Sequence, residues 1–417
     1  MKNLRPYQIE IASKACNILR LKKIVYLAME VRTGKTSTSF EVAKQFGATD
    51  VLFITKKKAI SSIESDHREF GYKFDITIIN SESLHLIDGD FDLVISDEHH
   101  RNGAFPKMNK VTQLIKERYS KLPMIFLSGT PTPESYSQIY HQFAVSAYSP
   151  FINYSNFYKW AKDYVNVKER NLGYAKVNDY SEAYQRLIKQ LTDPYMISFT
   201  QEQAGFTSSV NENILYCPME EITHRIISKL RQDKLVEGKE EVILADTGVK
   251  LMGKIHQLCS GTVKFESGNS KIIDYSKAYF IQNHFKGQKI AIFYKFTAEY
   301  EMLKEVFQDQ LTNDLEVFNT TSKNIALQIV SGREGISLKA AKYLVYINID
   351  FSAVSYWQSR DRLTTMERLT NDIYWIFSVG GIESKIYKVV QTKKDYTLSH
   401  FIKDDRTTNT SKNHQTA

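Results

Sequence analysis

The chain has 417 residues, of which 42% are hydrophobic and 24% charged, and Lys and Arg outnumber Asp and Glu by 55 to 47 for a net charge of +8. That length exceeds one ordinary core and predicts two domains, while the composition excludes a disordered or collagen-like chain. No apolar run is long enough to cross a bilayer and the start, "MKNLRPYQIE", lacks the apolar stretch of a secretory signal, so a cytoplasmic protein without membrane contact is expected.

Cys16, Cys217 and Cys259 are too scattered for a zinc knuckle or a disulfide framework and predict reduced thiols. The positive charge permits a polyanionic partner without requiring one.

In chain order, "IVYLAM" (24–29), "VLFIT" (51–55), "ITIIN" (76–80), "DLVIS" (92–96) and "MIFLS" (124–128) predict buried parallel strands. Stretches of helical period, such as 58–70 and 107–120, lie between them, so 1–150 reads as a doubly wound lobe. Residues 151–205 open with "FINYSNFYKWAKDYVN", carry an amphipathic pattern at 181–191, and predict a helical insertion or bridge. Its Tyr158, Trp160 and Tyr164, interleaved with basic residues, suit either a core-facing helix or a surface that stacks bases and grips phosphates.

A second series occupies 206–402, with helices at 219–235 and 249–260 and strands "IAIFY" (290–294), "LQIV" (327–330), "YLVYINI" (343–349) and "IYWIFSV" (373–379). The fold class is therefore α/β, two lobes that each hold a mainly parallel sheet with flanking helices, plus the insertion. From Lys403 to the end the chain is polar and aperiodic, which predicts a disordered tail over 403–417.

Strand 24–29 runs through Arg32 and Thr33 into Gly34, Lys35, Thr36 and Ser37, where a helix is expected to begin. Backbone N–H groups at such a turn surround phosphate, the lysine reaches the terminal phosphates, and the Thr36 hydroxyl ligates magnesium. Met29 stands where the stricter pattern has glycine, and Arg32 replaces a small residue, so Arg32 either meets phosphate or a carboxylate or faces solvent. "DLVISDEHHR" places Asp97 and Glu98 just after a strand, at the sheet edge where ligands collect. Asp97 is assigned to the metal and Glu98 to the attacking water; the alternative is a solvated acidic turn. His100 is expected to touch a neighbouring motif. In "FLSGTPTP" (126–133), Ser128 and Thr130 either report the terminal phosphate to Asp97 and Glu98 or merely cap a turn.

The ordered series resembles superfamily 2 helicases and translocases, and its later blocks are most similar to the Swi/Snf-like members, especially compact phage-type ones. "LRPYQ" (4–8) looks like the base-reading segment, with Arg5 and Gln8; "VRTGKT", "DEHH" and "SGTP" look like motifs I, II and III. "IAIFYKFTAEYEML" (290–303), "VSGREGISLKAA" (330–341) and "YWQSRDRLTTMER" (356–368) look like motifs IV, V and VI, and "KIHQLCSG" (254–261) strengthens the likeness.

The resemblance implies two RecA-like lobes with ATP and Mg2+ in a cleft, Lys35, Asp97 and Glu98 from the first lobe and Arg362 from the second. It further implies Gly335 and Gln358 near the nucleotide, and nucleic-acid contacts at Thr55, Lys56, Lys57, Asn80, Ser81 and Ser331. Thr365 stands where the family has a second arginine, and Arg368 is ranked ahead of Arg360 as its replacement. The implied activity is a nucleic-acid-stimulated ATPase acting on double-stranded DNA, with a protein partner open. The alternatives are an RNA helicase and a slow ATP-binding switch or scaffold.

Overall fold

A computed structural model of the chain describes residues 3–171, 176–205, 209–238, 241–332, 338–360 and 370–392. It folds into two compact units, Met1–Phe206 and Thr207–Ala417. Both have the RecA-like plan of a parallel sheet packed on both faces by helices.

In the first unit six parallel strands lie in the spatial order Asp75–Asn80, Asp50–Thr55, Leu93–Ser96, Met124–Leu127, Ile24–Met29 and Met196–Phe199. Their alternation sorts the side chains onto two faces. Val25, Leu27, Phe53, Ile95 and Leu127 pack against the helices Pro6–Lys22, Lys35–Phe46 and Ile60–Phe70. Tyr26, Leu52, Ile54, Val94 and Phe126 pack against Lys110–Tyr119, Ile139–Ala144 and Phe157–Tyr164. Because the strands are covered on both sides, they read as nearly continuous apolar runs.

Residues 151–205 do hold the helices Phe157–Tyr164 and Gln185–Thr192, but also an antiparallel hairpin of Lys168–Asn171 with Lys176–Asp179. The segment ends in Met196–Phe199, which pairs in parallel with Ile24–Met29 as the sixth strand. Trp160 is 0% exposed and Phe157 is buried beside it, so this helix turns its aromatic stripe to the core and the base-stacking alternative fails for Trp160.

In the second unit the order is Leu311–Thr312, Asn324–Gln328, Ile290–Tyr294, Tyr343–Tyr346, Thr370–Ser378 and Ser209–Cys217, again all parallel. The strand expected at 327–330 runs instead over Asn324–Gln328, and Ile329–Gly332 is helical. Asn324 opens the strand, and its side chain accepts the Ile290 N–H at 2.9 Å. Helices Ser276–His284 and Glu383–Val390 are joined by a fully buried ion pair, Lys277 to Glu383 at 2.7 Å, and Lys277 also donates to the Ile347 carbonyl at 3.0 Å. Among the described residues no helix is long and apolar enough to cross a membrane.

Candidate nucleotide site

The strands of the first unit end together at one edge, which collects the segments after Met29, Thr55, Asn80, Ser96 and Leu127. After Met29 the chain turns through Arg32 at φ 64° and Gly34 at φ 84° before the helix Lys35–Phe46 begins. Left-handed backbone is natural for glycine but costs a residue with a Cβ about 1–2 kcal/mol, so Arg32 holds strain that its surroundings must impose. Glu98, at φ 47°, is the second such residue at this edge. By contrast Lys23 and Lys234 adopt positive φ at helix C-termini, a common stop.

The loop is held from three directions. The Gln8 amide donates to the Ser37 hydroxyl at 2.8 Å and the Gly34 carbonyl at 3.3 Å, and its oxygen accepts the Arg5 N–H at 2.8 Å. Tyr7 donates to the Thr33 carbonyl at 3.1 Å and stacks on Phe199 with centroids 4.8 Å apart. From the sixth strand's end, the Gln201 N–H donates to the Glu30 carboxylate at 2.7 Å and its amide to the Val31 carbonyl at 3.0 Å. Gln8 therefore braces the phosphate loop with the very amide expected to read a base. Tyr7, Phe199 and Gln201 were not singled out from sequence; the only hint was that Tyr7 lies inside "LRPYQ".

Lys35 leads the helix and its Nζ donates to the Glu30 carbonyl at 3.3 Å. A Cβ on Gly129 would lie 3.6 Å from that same Nζ, which brings the "SGTP" turn to the phosphate loop. Asp97 accepts the Thr55 hydroxyl at 2.9 Å. Burial, reinforced by the charge of Glu98, pushes the Asp97 carboxyl up to about 6, while Lys35 and the Thr55 hydrogen bond oppose the shift. Thr55 itself is 2% exposed, and its hydroxyl orients Asp97. The buried Asp97 carboxylate, close enough to Lys35 to feel its charge, is an oxygen donor of the kind that suits a hard divalent cation.

His100 joins the remaining motifs, with Nδ1 3.3 Å from the Glu98 carboxylate and 2.9 Å from the Ser128 hydroxyl. Ser128 in turn accepts the Thr130 N–H at 3.1 Å, and the buried Thr130 hydroxyl has no hydrogen-bond partner among the described residues. His99 has a different task. It stacks on Phe126 at 3.7 Å and lies 2.8 Å from both the Ser96 hydroxyl and the Gln142 carbonyl, and burial lowers its pKa to about 3. It is a neutral core residue beneath the strand end.

Ser81 donates to the Thr55 carbonyl at 3.3 Å, and Asn80 pairs in register with Thr55. Lys57 is exposed at this edge, with Lys56 and Asn80 half-buried. Ser81, Asp97, Glu98 and Arg101 help line a cavity of about 180 Å³. Gly335, Arg362 and Arg368 lie outside the described residues, as do the side chains of Ser331 and Gln358.

Residues 10–262 match the family model described as the SNF2-related domain. A Sulfolobus solfataricus SWI2/SNF2 ATPase core in complex with double-stranded DNA is similar at 18% identity, over 94% of this chain and 91% of that one, with a TM-score of 0.43. The Sulfolobus solfataricus SWI2/SNF2 ATPase core domain is similar at 16% identity, over 94% and 89%, with a TM-score of 0.41. No curated protein matches the chain.

Proposed function

The chain belongs to the SNF2-related domain family, a superfamily 2 ATPase family, and from that premise we propose that it is an ATP-dependent translocase that moves along or remodels duplex DNA. The observation that carries this reading is the chain of contacts in the first unit from the phosphate loop through Lys35 and Gly129 to Ser128, His100 and Glu98. Loss of a terminal phosphate at Lys35 would be felt by the same turn that touches the water-activating carboxylate.

In this reading the loop N–H groups and Lys35 hold the phosphates, and Glu98 orients and deprotonates the attacking water. Thr36 and Asp97 would hold Mg2+, which supplies charge neutralisation on the phosphate oxygens. Arg362, with Arg368 as companion, supplies the positive charge that meets the leaving phosphate, an effect worth on the order of 10³–10⁵ in rate. Arg5 sits beside the base and Arg32 beside the phosphates. Lys56, Lys57, Asn80, Ser81 and Ser331 form the nucleic-acid contacts, and the net charge of +8 supports a polyanion there.

Displacement of a third strand from a DNA triplex tests movement. Displacement that requires ATP and vanishes in Glu98→Gln supports the proposal. Unwinding of RNA duplexes with no triplex displacement favours the RNA-helicase alternative, and ATP binding without turnover favours the switch.

A further inference from the structure

One carboxylate in the second unit collects an unusual set of donors. Glu212, on the edge strand Ser209–Cys217, accepts the Tyr356 hydroxyl at 2.7 Å, the Trp375 indole N–H at 2.9 Å and the Tyr387 hydroxyl at 2.9 Å. Arg360 completes the group, its Nη1 3.2 Å from the Glu212 carboxylate. The guanidinium also lies over the Trp357 ring at 4.8 Å and the Tyr356 ring at 5.6 Å. Glu212 and Arg360 keep only 12% and 17% of their side-chain surface exposed. Charge-assisted bonds in so sheltered a place are stronger than surface pairs, and removing one partner leaves the other charge stranded.

The donors come from helix Ala353–Arg360, strand Thr370–Ser378 and helix Glu383–Val390. Arg360 precedes Arg362 by two residues in the chain. Thr370 pairs with Ser209 in a nine-residue parallel register ending at Ser378 and Cys217. Arg360 and Thr370, the described residues that flank the sequence carrying Arg362 and Arg368, are thus both held to one strand. That strand begins three residues after the first unit ends at Phe206.

We propose that Glu212 is a positioning residue for hydrolysis, anchoring Arg360 and with it the base of the arginine-bearing segment, so that Arg360 serves as a tether and not as a nucleotide contact. The inference rests on the two-unit ATPase reading above. Neither Glu212 nor the strand that bears it stands out in the sequence, because "SVNENILYC" carries three consecutive polar residues, Asn211 to Asn213, which break the apolar pattern of a strand.

The test compares Glu212→Gln, Arg360→Gln, Arg360→Lys and the double variant Glu212→Gln/Arg360→Gln by duplex-stimulated ATPase, binding of a fluorescent ATP analogue and thermal melting. The expected result is a loss of at least tenfold in kcat for Glu212→Gln and Arg360→Gln, with analogue Kd within twofold of wild type. The double variant is no worse than either single one, and Arg360→Lys, which keeps the charge, retains at least a third of wild-type kcat.

Three results overturn the proposal. One is a lowered melting temperature with unchanged kcat, the mark of a merely structural pair. Another is a spared Glu212→Gln with Arg360→Lys as impaired as Arg360→Gln, which makes Arg360 itself a nucleotide contact. The last is additive losses in the double variant. If Glu212→Gln fails to fold, the two Arg360 variants decide. A wild type without ATPase on any nucleic acid refutes the parent reading, and this proposal with it, whereas an active wild type with a fully active Glu212→Gln refutes only the present inference.

Discussion

Replacing Gly34 by alanine perturbs the phosphate loop in a way the geometry makes quantitative. The added methyl would lie 2.1 Å from the Gln8 Nε2, far inside contact distance, on a residue whose φ is +84°. The backbone term alone is about 1–2 kcal/mol for a residue with a Cβ in the left-handed region. Gln8 is 5% exposed and cannot swing into solvent without giving up its bonds to Gly34 and Ser37, about 1 kcal/mol each. The sum is about 3–4 kcal/mol. In the free protein a surface loop can relax, so most of this appears when a nucleotide demands the native cradle. A weakening of ATP binding by two to three orders of magnitude is expected, about 1.4 kcal/mol corresponding to each tenfold. Titration with a fluorescent ATP analogue reads it, with urea denaturation as the check on folding. Gln8→Ala removes the obstructing amide, so Gln8→Ala/Gly34→Ala should bind better than Gly34→Ala alone, despite carrying one more substitution. Analogue affinity within threefold of wild type for Gly34→Ala, or a double variant weaker than both singles, refutes the reasoning.

Lys35→Ala should lose nucleotide affinity, whereas Glu98→Gln should bind the analogue and release no phosphate; equilibrium binding beside phosphate release separates the two. Lys277→Met should destabilise the second unit by about 3–5 kcal/mol in urea, because Glu383 keeps a buried charge without its cation, and Lys277→Met/Glu383→Gln should recover at least half of that. His99 should make the first unit acid-sensitive. Its folded pKa, about 3, lies below the unfolded value near 6.5, so its contribution is complete above pH 6.5 and is lost as pH falls toward 3. At pH 5 the loss is about 2 kcal/mol. Denaturation curves from pH 7 to 5 should show that slope, and His99→Gln should flatten it while lowering stability at pH 7.

Much of the first unit was legible because its strands are covered on both faces. Val25, Leu27, Leu52 and Ile54 had to be apolar on both sides of the sheet, and the resulting runs stand out in the sequence. Met196–Phe199 and Ser209–Cys217 did not stand out, since both lie at sheet edges where one side meets water and the pattern weakens. The titratable residues of the site were legible from motif order, as with Lys35, Asp97 and Glu98. Their supports were not. The resemblance marked Thr55 only as a nucleic-acid contact, and its tie to Asp97 was not legible: its neighbour Ile54 pairs with Ser96, and that register delivers its hydroxyl to Asp97. Long-range partners such as Gln201 with Glu30, or Tyr356 with Glu212, depend on which strands become neighbours, and no local periodicity encodes that.

The most direct test of the account is steady-state phosphate release by the full chain with no nucleic acid, single-stranded DNA, duplex DNA and RNA. The account predicts a rate at least tenfold higher with duplex DNA than without nucleic acid, abolished in Glu98→Gln and lowered at least a hundredfold in Arg362→Ala with analogue binding intact. A rate indifferent to every nucleic acid, or an Arg362→Ala variant as fast as wild type, would contradict it.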